Sequence, residues 1–285
     1  MLRRVLVLLS IVGLCMIQFN EDRATASHST NSYSNMTHWN MAGKLINDGE
    51  PVPAAEALVF SIFNQGRQLP AFISVNEICQ AQYDYLYQYL SYAGYSRDYY
   101  AAAYYPTHAR CQWFGNAVFW LGGQHPDGSY STPFITSHQH PDDLSKPEWR
   151  GFVCGKAAFP TFSPCSVHIT NKVHQNVNYK NLQIGDIRSW VQFSNACCNP
   201  TYLAGDLNVQ PSNSAVSLFY SGFGEGDDCG SSNNRATADD DLKKDYIFIP
   251  DPSNRIRHDA FIGGSAHSDH HVYVTYYSSA GTACS

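Results

Sequence analysis

Ala204-Gly205-Asp206-Leu207-Asn208 is the stretch on which the reading of this chain turns. A β-like run over 202–206 breaks off at an aspartate, and an asparagine follows two residues later. Alone, the pair reads as turn chemistry, because Asp and Asn bond their own backbone where strands end. The weight changes when the other β-like runs are laid beside it. Asn40 ends the run Met36–Met41, and Glu77 ends the one that begins Ala71-Phe72-Ile73-Ser74-Val75. His168 interrupts the apolar segment Ser166-Val167-His168-Ile169-Thr170. Asp245 opens Tyr246-Ile247-Phe248-Ile249, and Asp269-His270 precede a final strand, Val272–Tyr277. One such residue is bland; several in a fixed order are not what turn chemistry produces.

Around these positions the pattern is α/β. Apolar residues at helical spacing predict helices after Pro51 and Pro53, over 80–92 with Gly94 as the stop, and over 181–194, with a shorter one in 211–219. Short runs between turn residues predict strands at 99–104, 116–121, 133–138, 150–158, 165–170, 202–206, 245–249 and 271–277. Residues 27–34 read as a loose lead-in and 225–241 as an acidic surface loop. One α/β domain with two sheets is the simplest architecture for 285 residues without an internal repeat or linker.

Composition bounds the setting. Charged residues make up 15% and aromatics 14%, the texture of a β-rich exported protein. A formal charge of −6 advertises no basic field for nucleic acid, although a bound cation supplies positive charge locally. Arg3 and Arg4, the apolar run of 13 residues Val5–Ile17 and Ala24-Thr25-Ala26 read as a signal peptide over 1–26. The apolar run is too short to span a bilayer comfortably, and no later segment is apolar enough to do so. The expectation is a secreted or periplasmic protein whose mature domain is 27–285. Cleavage removes Cys15 of nine cysteines, and the remaining eight are expected to pair as disulfides. Of these, Cys154 and Cys165 are placed at the ends of one hairpin. Asn35-Met36-Thr37 is a glycosylation sequon.

Taken together, the motifs resemble the endonuclease/exonuclease/phosphatase superfamily, the fold of pancreatic-type deoxyribonuclease. The resemblance rests on Trp39-Asn40, Asn76-Glu77, Val167-His168-Ile169, Gly205-Asp206-Leu207-Asn208, Asp245-Tyr246-Ile247-Phe248 and Ser268-Asp269-His270. Gly115-Asn116-Ala117-Val118 and Arg150-Gly151-Phe152 agree with two secondary marks, and the likeness runs from about residue 36 to 277. Leu207, where the family has Phe, and Val167 are mild departures. The resemblance implies a four-layer α/β sandwich, two packed mixed β-sheets flanked by helices. It also implies roles: His270 and Asp206 orienting or deprotonating a water, His168 held by Asp245 at the phosphate or leaving group, and Asn208, Arg150 and Asn116 on phosphate oxygens.

The residue types fit phosphodiester hydrolysis on their own terms. That reaction needs a cation, a base for water and help for the departing oxygen. Glu77 is a hard oxygen ligand suited to Mg²⁺, with Mn²⁺ as a substitute and a structural Ca²⁺ also compatible; Asn40 and Asp269 are placed to complete the site. The expected function is a secreted, divalent-metal-dependent phosphodiesterase, an endonuclease acting on DNA, with a toxin or carrier subunit as a partner left open. The alternative on the same fold is a phospholipid or inositol-phosphate phosphodiesterase of the sphingomyelinase kind. A duplex cutter would use Arg97, Arg110, Lys156, Lys172 or Lys180. A membrane-acting enzyme would use an exposed aromatic loop, for which Trp113-Phe114 and Tyr99-Tyr100 are candidates. A binding module that kept the fold and lost catalysis would be expected to lack a motif residue, and none of the principal ones is missing.

Overall fold

A computed structural model describes residues 33–278 apart from 64–68, 127, 135, 142–147, 159–161, 173–176, 198–199, 227–234, 251–259 and 263–266. The expected leader 1–26 and Cys198, Cys229 and Cys284 lie outside the described residues.

Alternation dictates how the strands are used. In β1 (Tyr33–Asn40) Met36, His38 and Asn40 face one way, and Thr37 and Trp39 the other. In β2 (Phe72–Cys79) Phe72, Ser74 and Asn76 share the first face, with Ile73 and Val75 on the second. These strands lie at the centre of a six-stranded sheet, in the order β11-β12-β1-β2-β4-β3. Its other members are β3 (Ser96–Tyr104), β4 (Trp113–Trp120), β11 (Ala260–Ile262) and β12 (Tyr273–Ser278). The second sheet, in the order β5-β6-β7-β8-β10-β9, comprises β5 (Tyr130–Pro133), β6 (Gly151–Cys154), β7 (Ser163–His168), β8 (Thr201–Asp206), β9 (Phe223–Glu225) and β10 (Asp245–Pro250). Each sheet is mixed: β1 and β2 are parallel, as are β7 and β8, and the remaining pairs run antiparallel.

Both faces of each sheet are covered, so the residues form three apolar layers. On the outer face of the first sheet, α1 (Pro51–Phe63) and α2 (Gln80–Tyr92) set Ala54, Leu58, Ile62, Tyr83, Leu86 and Leu90 against Trp39, Ile73, Val75 and Phe119. Outside the second sheet, α3 (Tyr179–Cys197) and α4 (Ser214–Ser217) bring Ile184, Ile187, Val191 and Val216 onto Val167, Leu203, Tyr246 and Phe248. Between the sheets lie Met36, Phe72, Val118, Trp120, Val153, Ile247, Ile249 and Tyr273. This is the expected four-layer sandwich. Gly205 belongs to its geometry, because a Cβ there would run into the Val167 carbonyl of the neighbouring strand.

Several local expectations change. The stretch 133–138 is no strand: β5 stops at Pro133, and Thr136–His138 form a 3-10 turn. Proline has no N–H to continue a ladder. Asn35 is 5% exposed inside β1, so the folded strand has no room for a glycan on the sequon. The segment expected as a surface loop begins in the core. Glu225 is buried on β9, paired with the buried Lys243 at 3.2 Å, and accepts the Tyr273 hydroxyl at 2.6 Å. A buried ion pair needs that extra hydrogen bond to offset desolvation.

Two disulfides join described residues. Cys154 and Cys165 sit opposite each other on β6 and β7, the pairing expected of the hairpin. Cys79 at the end of β2 is tied to Cys111 before β4. The tyrosines of 83–105 are mainly packing residues: Tyr83 lies against Tyr99 and Phe119, and Tyr95 is buried. Among the described residues, no helix is long and apolar enough to cross a membrane.

Candidate active site

The inner faces of the two sheets become polar at one end. There β1 contributes Asn40, β7 His168, β8 Asp206 and β10 Asp245, all less than 5% exposed. Register explains the meeting: His168 is opposite Asp206, and Asp206 is opposite Asp245. His270 arrives from the segment before β12, where its carbonyl accepts the Trp39 indole N–H at 2.9 Å.

Glu77 reaches this layer by a distortion. Strict alternation would send it to the face opposite Asn76. Instead β2 has a bulge between Val75 and Ile78, and Glu77 takes φ +52°. The strand continues to Cys79 rather than ending at Glu77, as the sequence suggested. Left-handed backbone in a non-glycine residue costs about 1–2 kcal/mol. Asn208 has the same feature, at φ +48°. Asn tolerates this region readily, so the strain at the site is that of Glu77.

Hydrogen bonds join the groups. Asn40 Nδ2 donates to Asp206 Oδ2 at 3.1 Å and to Glu77 Oε1 at 3.4 Å. The Asn208 N–H donates to Asp206 Oδ1 at 2.8 Å, and Asn208 Nδ2 lies 3.3 Å from His168 Nε2. Arg150 Nη1 lies 2.6 and 2.9 Å from the two ring nitrogens of His168. Its Nη2 pairs with Glu148 at 2.9 Å, and its Nε is buried without a hydrogen-bond partner. His168 Nε2 is 3.6 Å from Asp206 and 3.7 Å from Glu77.

The resemblance assigned Asp245 to His168, and the structure assigns it elsewhere. Asp245 Oδ2 accepts His270 Nδ1 at 2.7 Å, and Oδ1 accepts His38 Nε2 at 3.0 Å. His168 is held instead by Arg150 and Asn208. His38 was not singled out from the sequence. Its signal was available: it stands two residues before Asn40 on the same face of a buried strand. Glu148, the partner of Arg150, carried no such signal.

The remaining expectations divide. Asn116 is buried, and both ends of its amide are engaged inside the protein. Its Oδ1 accepts Asn76 Nδ2 at 3.1 Å, and its Nδ2 donates to the Gly151 carbonyl at 3.2 Å, an arrangement that braces the two sheets under the site. Asp269 is exposed, with its carbonyl tied to the Asp239 N–H at 2.9 Å. His271 turns away from His270 and faces Asp239 at 3.6 Å. His138 pairs with Asp186 at 2.8 Å. Of the candidate phosphate cations, Arg97 and Arg110 are paired with Asp84 and Glu50, while Lys180 donates to the Asn208 carbonyl at 2.9 Å, beside the site. Of the aromatic candidates, Tyr100 and Phe114 are buried; Trp113 is exposed and packs at a tilt against Tyr104, ring centroids 4.4 Å apart.

Burial sets the protonation states. Desolvation pushes the Glu77 carboxyl up to about 7, with Arg150 opposing and Asp206 reinforcing. Desolvation likewise raises Asp206, against the pull of His270. His168 is driven well below its ordinary value by burial and then by the Arg150 guanidinium, so its ring is neutral near pH 7. Burial also opposes a charge on His270, but Asp245 and Asp206 outweigh it and lift the imidazole to about 10. Asp245, despite its burial, is held far below the carboxylate range by His270 and His38.

The donor set fits a hard divalent cation. Glu77 is a half-buried carboxylate, 18% exposed at its side chain, whose pKa desolvation raises, and Asp206 stands beside it. Asp206, Asp245 and His270 also place ligand atoms within 4.8 Å of one another. Asp245, however, already serves two imidazoles, which makes Glu77, beside Asp206, the better-suited ligand; Asn40 Oδ1 accepts the Ala42 N–H at 3.1 Å, so its Nδ2 supports the two carboxylates instead.

No protein-family model and no curated protein sequence matches the chain. Solved structures do. The human Nocturnin catalytic domain with bound sulfate anion aligns over 87% of this chain and 97% of its own, with TM-score 0.59 and 14% identity. Truncated Caenorhabditis elegans TDP2 aligns over 86% and 97%, with TM-score 0.60 and 15% identity. An endonuclease/exonuclease/phosphatase protein from Beutenbergia cavernae aligns over 86% and 71%, with TM-score 0.61 and 14% identity. The two packed mixed sheets, their flanking helices and these alignments establish that the chain has the endonuclease/exonuclease/phosphatase, or deoxyribonuclease I-like, fold.

Proposed function

We propose that this chain is a divalent-metal-dependent phosphodiesterase and, within that class, an exported endonuclease acting on DNA. The observation that carries the reading is the pairing of opposite charges in one buried cluster. Glu77 and Asp206 lie on one side of His168, and Arg150 lies against its ring. A phosphodiester needs both sides: carboxylates to hold a cation and a base, and a guanidinium for the anionic oxygens.

Glu77 would be the principal ligand of Mg²⁺ or Mn²⁺, with Asn40 supporting its carboxylate through Nδ2. The ion would neutralise the phosphate and the departing oxygen when bound. Asp206, a buried carboxylate raised above its ordinary value, takes the proton of the attacking water. His270, protonated and fixed by Asp245, presents Nε2 3.7 Å from Asp206 and stabilises negative charge on the phosphoryl oxygens. Neutral His168, Asn208 and Arg150 orient the non-bridging oxygens. Arg150 Nε is a buried donor still to be satisfied there.

Support for DNA comes from two structures of the same fold. A Neisseria 3' phosphatase, NExo, was solved bound to a product DNA hairpin, and Danio rerio TDP2 with a single strand DNA product. Lys180 beside Asn208 offers this chain a contact for a neighbouring phosphate. Export is supported by the short apolar leader in the sequence and by two disulfides. The test is to incubate the protein with supercoiled plasmid, sphingomyelin and a phosphoinositide, with Mg²⁺ and with chelator. Nicking that requires the cation is expected. Intact plasmid beside a cleaved lipid would transfer the site to the phospholipid alternative.

A further inference from the structure

The dyad of His270 and Asp245 continues into the protein. Asp245 Oδ1 is 3.0 Å from His38 Nε2, and His38 Nδ1 is 2.9 Å from the Ser74 hydroxyl. Ser74 is 2.8 Å from Ser166, which accepts Asn76 Nδ2 at 3.1 Å, and Asn76 Oδ1 accepts the Asp206 N–H at 2.8 Å. A line of bonds thus leaves the site at His270 and re-enters it at Asp206. Between Asp245 and Asp206 it crosses from one sheet to the other four times, through side chains that are 0–6% exposed.

Within this line the proton assignments are constrained. A carboxylate only accepts, so both imidazoles turn an N–H toward Asp245: Nδ1–H from His270 and Nε2–H from His38. Asp245 has no exposed surface, and a carboxylate gripped at one oxygen would still rotate about its χ2. Gripped at both, it is fixed in the plane that serves His270.

We infer that His38 is a positioning residue for the proposed hydrolysis: by holding the second oxygen of Asp245, it fixes the first one, and through it the His270 ring, against the reacting phosphate. The inference rests on the phosphodiesterase reading for its kinetics but not for its geometry. His38 touches neither substrate nor cation. It acts through Asp245, as groups behind a catalytic histidine do, where loss costs about 10–100-fold in activity.

Two isosteres separate positioning from mere filling. The side-chain nitrogen of Gln reaches the place of Nε2, and that of Asn the place of Nδ1. His38→Gln therefore keeps the bond to Asp245, whereas His38→Asn keeps only the bond to Ser74. Each variant is compared with the wild-type full chain in two ways. One is steady-state kinetics on the cleaved diester. The other is the downfield proton resonance of His270 Nδ1–H, recorded without substrate. His38→Asn should lower kcat about tenfold or more, leave KM within about twofold and move or erase the resonance; His38→Gln should preserve all three. The inference is overturned if the two variants behave alike, both near wild type or both impaired with the resonance unmoved. Should His38→Asn fail to fold, Ser74→Ala loosens the same ring from its other nitrogen, and an unmoved resonance there equally overturns it. A wild-type chain inactive on every diester would defeat the phosphodiesterase reading alone, because the resonance test needs no turnover.

Discussion

At one end of the layer between the sheets, Met36, Phe72, Trp120, Ile247 and Ile249 meet in an apolar cluster. Two to four residues along the same strands stand Asn40, Asn76, Asn116 and Asp245. The strands, pleat and burial are the same, and the chemistry is opposite. The apolar end is stabilised by leaving water. The polar end costs energy at each group unless a partner is found, and charged groups cost most. Its residues are therefore engaged, often at more than one atom: Asp245 with two imidazoles, Asp206 with Asn40 and Asn208, Arg150 with Glu148 and His168. The fold is held by one end, and the other is pre-organised at its expense.

The largest effect should come from Glu77→Gln, which separates the two ends most sharply. It should lower turnover about 10³-fold, the scale for losing a principal electrostatic group. Yet it should stabilise the cation-free protein at pH 8. The Glu77 pKa is raised from 4.5 to about 7, so its ionisation costs stability as pH rises through that window. The amide removes that cost, on the order of 1–3 kcal/mol. A thermal melt in chelator at pH 8 that falls below wild type would break the comparison.

Ile247→Ala at the apolar end should do the converse. It should cost about 2–5 kcal/mol in a denaturant titration, while activity per folded molecule is unchanged. A loss of kcat comparable to that of Glu77→Gln would mean the two ends are not separable. Replacing Cys154 and Cys165 together by Ala should cost about 2–3 kcal/mol, because the bridge closes a short loop of separation 11. Again turnover should hold at temperatures below the melt.

A pH-dependent effect belongs to His270. Its pKa is raised from 6.5 to about 10 on folding. The stabilisation is thus fully present below pH 6.5 and lost as pH rises through 10. Melts of wild type and His270→Gln should differ most near pH 6 and converge toward pH 10; a gap that widens with pH would reverse the assigned pairing with Asp245. The smallest effect expected is that of Lys180→Glu. It should raise KM for plasmid a few-fold and make its salt dependence shallower than that of wild type, with a short diester unaffected. Equal impairment of both substrates would place Lys180 at the scissile phosphate itself.

By itself the sequence determined most of the helices and strands, though not β9 or β11, the hairpin that brings Cys154 to Cys165, and the polar residues at strand ends, Asn40, Asp206 and Asp245. These follow from alternation, helical spacing and turn residues, which are properties of neighbours along the chain. Tertiary structure alone decided who partners whom. It gave Asp245 to His270 and His38 rather than to His168, and Arg150 to His168 and Glu148. It turned Glu77 inward through a bulge, closed both ends of the Asn116 amide and buried the sequon at Asn35. The physical reason is common to all of these. A side chain's partner is set by the register between strands distant in sequence and by the spacing of two twisted sheets, and no local pattern encodes either.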